Sequence, residues 1–134
     1  MEDCIFCKII AGQIPGMKIY EDEDCFAFLD IAKDADGHTL VVPKKHCKNL
    51  VEMDSKALHS VMDAVQKISA HYIKDCSYEG VNLYNCCNEC AGQTVMHFHM
   101  HIVPRKSGDS VKAWPEFGGA KNELSFMHEK LKMC

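Results

Sequence analysis

The chain has 134 residues, 47% of them apolar, and fifteen basic against nineteen acidic side chains give a formal net charge of −4 with histidine neutral. That length suits a single domain over residues 1–134 with its own core. The shortage of positive charge argues against a nucleic-acid polymer as partner, though not against a single nucleotide. No run of about 18 apolar residues occurs, so no membrane partner is expected. Met1-Glu2-Asp3-Cys4 carries acid where a secretory leader carries base, and a cytoplasmic location is expected. Nine cysteines, an odd number, fit free thiols or metal ligands in a reducing compartment better than a disulfide framework.

Ile5 to Ile10 forms an apolar stretch stopped by Ala11-Gly12, long enough for a short helix. Cys25-Phe26-Ala27-Phe28-Leu29-Asp30 reads as a strand, and so does His38-Thr39-Leu40-Val41-Val42-Pro43. The polar stretch Lys33-Asp34-Ala35-Asp36-Gly37 between them suits a hairpin loop. Asp54-Ser55 can cap a long amphipathic helix over residues 54–75, with Leu58, Val61, Met62, Val65, Ile68 and Ser69 on one face. Two more strands are expected near residues 80–85 and 94–105, separated by the Cys- and Asn-containing stretch 86–92. Weak helical periodicity returns from Glu123 to Leu131. No repeat, linker or low-complexity tract intervenes. Strands with one or two helices on one side make an α+β fold with an antiparallel sheet.

The most informative segment is His97-Phe98-His99-Met100-His101-Ile102-Val103. On a strand, alternation places His97, His99 and His101 on one face at steps of about 6.6 Å, with Phe98, Met100 and Ile102 on the other. A merely polar, histidine-rich solvent face is the plain alternative, and strict period two in three uncommon residues argues against it. Two chemistries remain open at this point. The imidazoles could ligate a transition metal with an open position for water. They could instead supply a nucleophile and phosphate-holding groups without a catalytic metal. Gly92-Gln93-Thr94 upstream favours the second, with close backbone approach, an amide and a hydroxyl near the same face.

With these residues the chain resembles the histidine triad hydrolases and transferases, whose signature alternates three histidines with apolar residues. His97 through Val103 satisfies every position. Cys4-Ile5-Phe6-Cys7-Lys8-Ile9-Ile10, Phe28-Leu29-Asp30-Ile31, Gly37-His38-Thr39-Leu40-Val41-Val42-Pro43-Lys44 and Ala91-Gly92-Gln93-Thr94-Val95 extend the likeness over residues 4–106. The variable segment 107–134 matches no branch clearly.

The resemblance implies a homodimer with five strands per subunit joined in a ten-stranded sheet. It implies that His99 attacks the α-phosphorus of a nucleoside phosphoryl substrate and forms a nucleotidyl-histidine, which water then cleaves. His101 would hold the phosphate and assist proton transfer, His38 would complete the relay as a fourth histidine, and Gln93 and Thr94 would hydrogen-bond the phosphate and leaving group. Asp30 would accept from the ribose hydroxyls, and Ile5, Phe6, Ile9, Ile14, Phe28, Ile31 and Leu40 would enclose the base. For these apolar residues, plain core is the competing reading.

Cys4-x2-Cys7 has zinc-ligand spacing but needs a second pair. Some histidine triad proteins look like Cys4, Cys7, His46 and His97 around a structural zinc; Cys87-x2-Cys90 is the other candidate pair. The chain departs from its relatives at Cys86-Cys87-Asn88, where they usually carry an Asn pair and then Gly. A thiol donates and accepts only weakly, but Asn88 can still take a positive φ. The expected function is hydrolysis of purine nucleoside phosphoramidates or related nucleoside phosphoryl compounds. Cleavage of dinucleoside polyphosphates, a weakly catalytic nucleotide-binding interaction protein, and a zinc hydrolase using the triad as ligands are the alternatives.

Overall fold

The computed structural model describes residues 3–134. In chain order the elements are α1 (Ile5–Ile10), β1 (Lys18–Glu21), β2 (Cys25–Leu29), β3 (Thr39–Pro43), α2 (Ser55–Lys74), β4 (Gly80–Tyr84), a single 3-10 turn (Glu89–Ala91), β5 (Met100–Arg105) and α3 (Leu124–Leu131). The strands form one five-stranded sheet in the order β1-β2-β3-β5-β4, with every neighbouring pair antiparallel. No helix among the described residues is long and apolar enough to cross a membrane.

Alternation along the central strands divides the core into two layers. Cys25 and Ala27 of β2 and Val41 of β3 pack with Val61, Ala64, Val65, Ile68 and Tyr72 of α2. The intervening Phe26, Phe28, Leu40 and Val42 pack on the other face with Phe6 of α1. Both strands are thus buried on both sides, which is why they read as continuous apolar runs. The small Cys25 and Ala27 lie under the long helix, and the large phenylalanines lie under the short one. Asp54 caps α2 by accepting from the Ala57 N–H at 2.7 Å.

Two expectations change, one strand appears that was not expected, and one weakly signalled helix forms. The edge strand β1 carries no clear sequence signal, since it is four residues long and only Tyr20 is half-buried. The strand expected over residues 94–105 pairs only from Met100, because the preceding backbone turns away to bond elsewhere: the Phe98 N–H donates to Cys47 O at 2.7 Å. Met62 is exposed on α2, and Ala64 and Tyr72 complete the buried face instead. Lastly, α3 forms where periodicity was weak but buries nothing.

The β2–β3 hairpin carries His38 to the sheet's centre. Its last loop residue, Gly37, has φ 76°, and a Cβ there would meet Pro104 Cγ at 2.9 Å, so both conformation and space require glycine. His101 pairs with Leu40 on one side and Tyr84 on the other. Residues directly opposite share a face, so His101 lies on the α1 side of the sheet, beside His38.

Candidate active site

The first turn of α1 places Cys4 and Cys7 together. Cys4 is the N-cap, its Sγ accepting from the Cys7 N–H at 3.4 Å. His46, just beyond β3, and His97 turn their Nδ1 atoms into the same space. Nδ1 of His97 is 3.3 Å from Cys4 Sγ and 3.5 Å from Cys7 Sγ. Nδ1 of His46 is 3.4 Å from Cys7 Sγ and 3.1 Å from Nδ1 of His97.

A tetrahedral zinc with bonds of about 2.3 Å to sulfur and about 2.05 Å to nitrogen has sulfur–nitrogen edges of about 3.5 Å and nitrogen–nitrogen edges of about 3.3 Å. Four of the six edges, at 3.3, 3.5, 3.4 and 3.1 Å, therefore lie close to those such an ion needs, and all four ligand atoms lie within 4.8 Å of one another. His97 Nε2 donates to Pro43 O at 2.8 Å, which fixes the tautomer that leaves Nδ1 with its lone pair. Burial pushes His97 down to about 4, and it lowers His46 as well. Burial, followed by the adjacent Cys4, raises the Cys7 thiol. Neutral rings are ready ligands, and a cation would reverse the cost of the thiolates. Cys87 and Cys90 are not part of this cluster.

Two residues on, His99 is buried and points the same backbone constraint the other way. Its Nδ1 donates to the carbonyl of His97 at 2.8 Å, so Nε2 carries the lone pair. Asn85, just past β4, donates from its amide to His99 O at 2.9 Å and holds this residue from the other side. The Phe6 ring meets His99 edge-on at 5.1 Å. Burial lowers the pKa of His99, partly offset by its bond to the His97 carbonyl.

His101 follows on β5 with its ring centroid 4.9 Å from that of His99. Burial pushes it down to about 4, with His99 and His38 adding to the effect. His101 Nδ1 lies 2.8 Å from His38 Nε2, and His38 Nδ1 lies 2.9 and 3.1 Å from the two oxygens of Asp34. Asp30, at the end of β2, places Oδ2 3.8 Å from His38 Nε2, while its Oδ1 accepts from the Ala32 N–H at 2.9 Å. The histidine row expected from the sequence is thus divided: His97 joins the cysteines, and His99, His101 and His38 stand together.

The other candidates scatter more widely. Gln93 is buried, and its amide is fully engaged: Nε2 donates to Lys48 O at 2.7 Å and Val95 O at 3.0 Å, while Oε1 accepts from the Asn88 N–H at 2.9 Å. No amide hydrogen is left over for the phosphate contact expected of it. Thr94 is exposed in a cleft of about 720 Å³ that it shares with Cys4, Ile5, His46, Val95 and Met96. Phe6, Phe28 and Leu40 are core residues, each under a tenth exposed, and Ile9 packs against them. Ile14 is half-buried, whereas Ile31 is 93% exposed and encloses nothing in this chain alone.

Residues 11–108 match the HIT domain family model. This chain belongs to the HIT family. It is 49% identical over 104 residues to the Bacillus subtilis protein named Protein hit, covering 78% of this chain and 72% of that one. It is 35% identical over 136 residues to the Candida albicans adenosine 5'-monophosphoramidase HNT1, covering 96% and 89%. Among solved structures, a HIT family member from Bacillus subtilis superposes with TM-score 0.81 at 41% identity, covering 96% of this chain and 92% of that one. A zinc-bound histidine triad protein from Mycobacterium smegmatis does so with TM-score 0.77 at 36% identity, covering 83% and 81%.

Within this HIT chain, three residues that shape the site carried little sequence signal. Asp34 stands four residues before His38, a spacing visible in the loop but easily taken for a solvated charge. Asn49 is buried, accepts from the Val51 and Glu52 N–H groups and donates to Asn88 Oδ1 at 2.9 Å. Asn85 ends a strand, where an Asn is ordinary. Asn88 does take a positive φ of 77°, but its ψ of 159° lies outside the left-handed helical region and in territory that glycine normally occupies.

Proposed function

We propose that the protein is a nucleotidyl hydrolase that cleaves nucleoside phosphoramidates, or related purine nucleoside phosphoryl compounds, through a covalent intermediate on His99. The observation that carries this reading is the His99 tautomer. Donation from Nδ1 to the His97 carbonyl leaves an unprotonated Nε2 in a buried setting that keeps the ring neutral. Nε2 attacks the α-phosphorus, a P–N bond to His99 forms, and the bond from phosphorus to the leaving group breaks. The leaving group takes a proton from His101. Water then attacks phosphorus, the P–N bond to His99 breaks, and the nucleoside monophosphate is released. The Candida albicans relative's name, adenosine 5'-monophosphoramidase, supports the substrate class.

The second oxygen of Asp30 suits a ribose hydroxyl, and Thr94 offers its hydroxyl at the edge of the cleft. Ile5, Ile9 and Ile14 supply apolar surface near α1 for a base, while Phe6, Phe28 and Leu40 support that surface from beneath. Cys4, Cys7, His46 and His97 would hold a structural zinc, and that ion supplies a rigid tether between α1, the end of β3 and the triad segment. The zinc-bound relative and the tetrahedral spacing support this assignment. The nucleophile, His101 and His38 then act without a catalytic metal. β4 is an edge strand of the sheet, a position from which a second copy could extend it into a homodimer.

Intact-protein mass spectrometry after brief mixing with an adenosine phosphoramidate tests the reading. Wild type should gain one adenylyl group and release AMP, His99→Ala should do neither, and brief chelation should leave the adduct intact. Nucleotide binding with no adduct and no AMP refutes it.

A further inference from the structure

Asp34 lies outside the triad signature, on the β2–β3 loop, and its carboxylate grips one edge of the His38 ring with both oxygens. We propose that Asp34 is a positioning residue that holds His38 so that one proton, shared between His38 and His101, is delivered to the leaving group. This rests on the nucleotidyl-transfer reading above and assigns a role to a residue which that reading leaves out.

A carboxylate can only accept, so His38 Nδ1 must carry a hydrogen. The ring's orientation is thereby set, and its Nε2 faces His101 Nδ1 at 2.8 Å with a single hydrogen between them. When the pair carries its extra proton, that proton sits on His38 Nε2, His101 accepts it at Nδ1, and His101 Nε2–H faces the leaving group. Burial disfavours charge on His101 itself, whereas His38 has Asp34 against one nitrogen and Asp30 at 3.8 Å from the other. The charged and titratable groups facing the relay are therefore Asp34 from the loop, Asp30 just past β2, and His99 and His101 from the triad segment. The hydrogen bond from His38 holds the Asp34 carboxyl below the ordinary carboxylate range, which keeps it ionised.

The step balances. As the bond from phosphorus to the leaving group breaks, the leaving atom takes the hydrogen from His101 Nε2, and His101 Nδ1 takes the hydrogen from His38 Nε2. His38 is left neutral with its Nδ1–H on Asp34. In hydrolysis the attacking water gives its proton to His101 Nε2, and the Nδ1 hydrogen returns to His38.

A role in leaving-group protonation matters only when the leaving group needs a proton. The test is therefore kcat/KM across pH for Asp34→Ala, Asp34→Asn and Asp34→Glu on two adenylyl substrates. One is an unactivated alkylamine phosphoramidate; the other has an acidic phenol leaving group. Asp36→Asn removes a neighbouring exposed charge and serves as the electrostatic control. On the alkylamine substrate Asp34→Ala should lose about tenfold or more, a fraction of what a general acid contributes. The phenol ester should change less than about twofold, the alkaline limb for the amine should move to lower pH, and Asp34→Glu should recover part of the loss.

Equal losses on both substrates, an unmoved alkaline limb, or an Asp36→Asn effect as large as that of Asp34→Asn overturns the inference. If wild type forms the adduct and Asp34→Ala matches it on both substrates, the Asp34 role fails and the nucleotidyl-transfer reading stands. If wild type forms no adduct and releases no AMP, both fail together.

Discussion

Replacing Gln93 by alanine should destabilise the fold by about 2–4 kcal/mol, a change of protein stability before it is a change of substrate binding. The side chain is 2% exposed and makes three hydrogen bonds, two as donor to Lys48 O and Val95 O and one as acceptor from the Asn88 N–H. Each such bond contributes about 0.5–1.5 kcal/mol net, and removing a buried partner leaves the others to find water. Lys48 and Asn88 are exposed residues, so solvent close by should hold the loss below the sum of full desolvation costs. Since typical domains are stable by about 5–15 kcal/mol, the shift is large enough to read directly. Urea unfolding of the metal-loaded protein should show a lower midpoint with an unchanged slope. Gln93→Glu should do no better, because a carboxylate cannot donate to the two carbonyls it would face. A loss below about 1 kcal/mol accompanied by a large rise in KM would refute the reasoning, since it would mean that the amide serves the substrate and not the loop.

Two further predictions concern the histidines and cysteines. Protein purified without chelator should hold one zinc per chain by elemental mass spectrometry, and Cys4→Ser or Cys7→Ser should lose it along with several degrees of melting temperature; equal zinc content in wild type and both variants would refute the ligand set. Burial lowers His99, and it pushes His97 and His101 down to about 4, against about 6.5 for an unfolded histidine. The unfolded chain then binds protons first as pH falls, so stability present above 6.5 should be lost progressively toward pH 4 in the metal-free protein. The acid limb of kcat/KM should accordingly lie below 6.5, and a limb above it would contradict the burial of the triad.

Most of the fold was legible because its central strands and long helix carry strong periodic patterns. Phe26 and Phe28 alternate with Cys25 and Ala27, and the sheet uses that alternation to fill two different layers. The edge strand at Lys18–Glu21 was not legible, because an exposed four-residue strand has no apolar face to display. The triad alternation survives in where the side chains point, with Phe98 and Ile102 under α2 and His99 and His101 across from them, even though regular pairing begins at Met100. What the sequence concealed was hydrogen-bond direction. Nothing in Gln93, Asn49 or Asp34 as residue types says whether they face a ligand or hold a loop. That depends on which carbonyls and N–H groups a distant segment brings near, and Lys48 lies 45 positions from the amide that binds it.

The metal-type cluster and His99 meet at His97, two residues before His99 in the chain. The side chain of His97 turns toward the cysteines, and its carbonyl accepts the hydrogen that sets the His99 tautomer. His97 is in turn fixed through Nε2 to the carbonyl of Pro43, the last residue of the strand that begins next to His38. A rotation of the His97 ring would break its bond to Pro43, and a shift of its backbone would free His99 to adopt the other tautomer, in which Nε2 carries the hydrogen and no lone pair. On the proposed reading, a cation held by Cys4, Cys7, His46 and His97 would steady that geometry by making such a shift costly. A site of purely structural chemistry would, on that reading, still govern the tautomer of the neighbouring histidine.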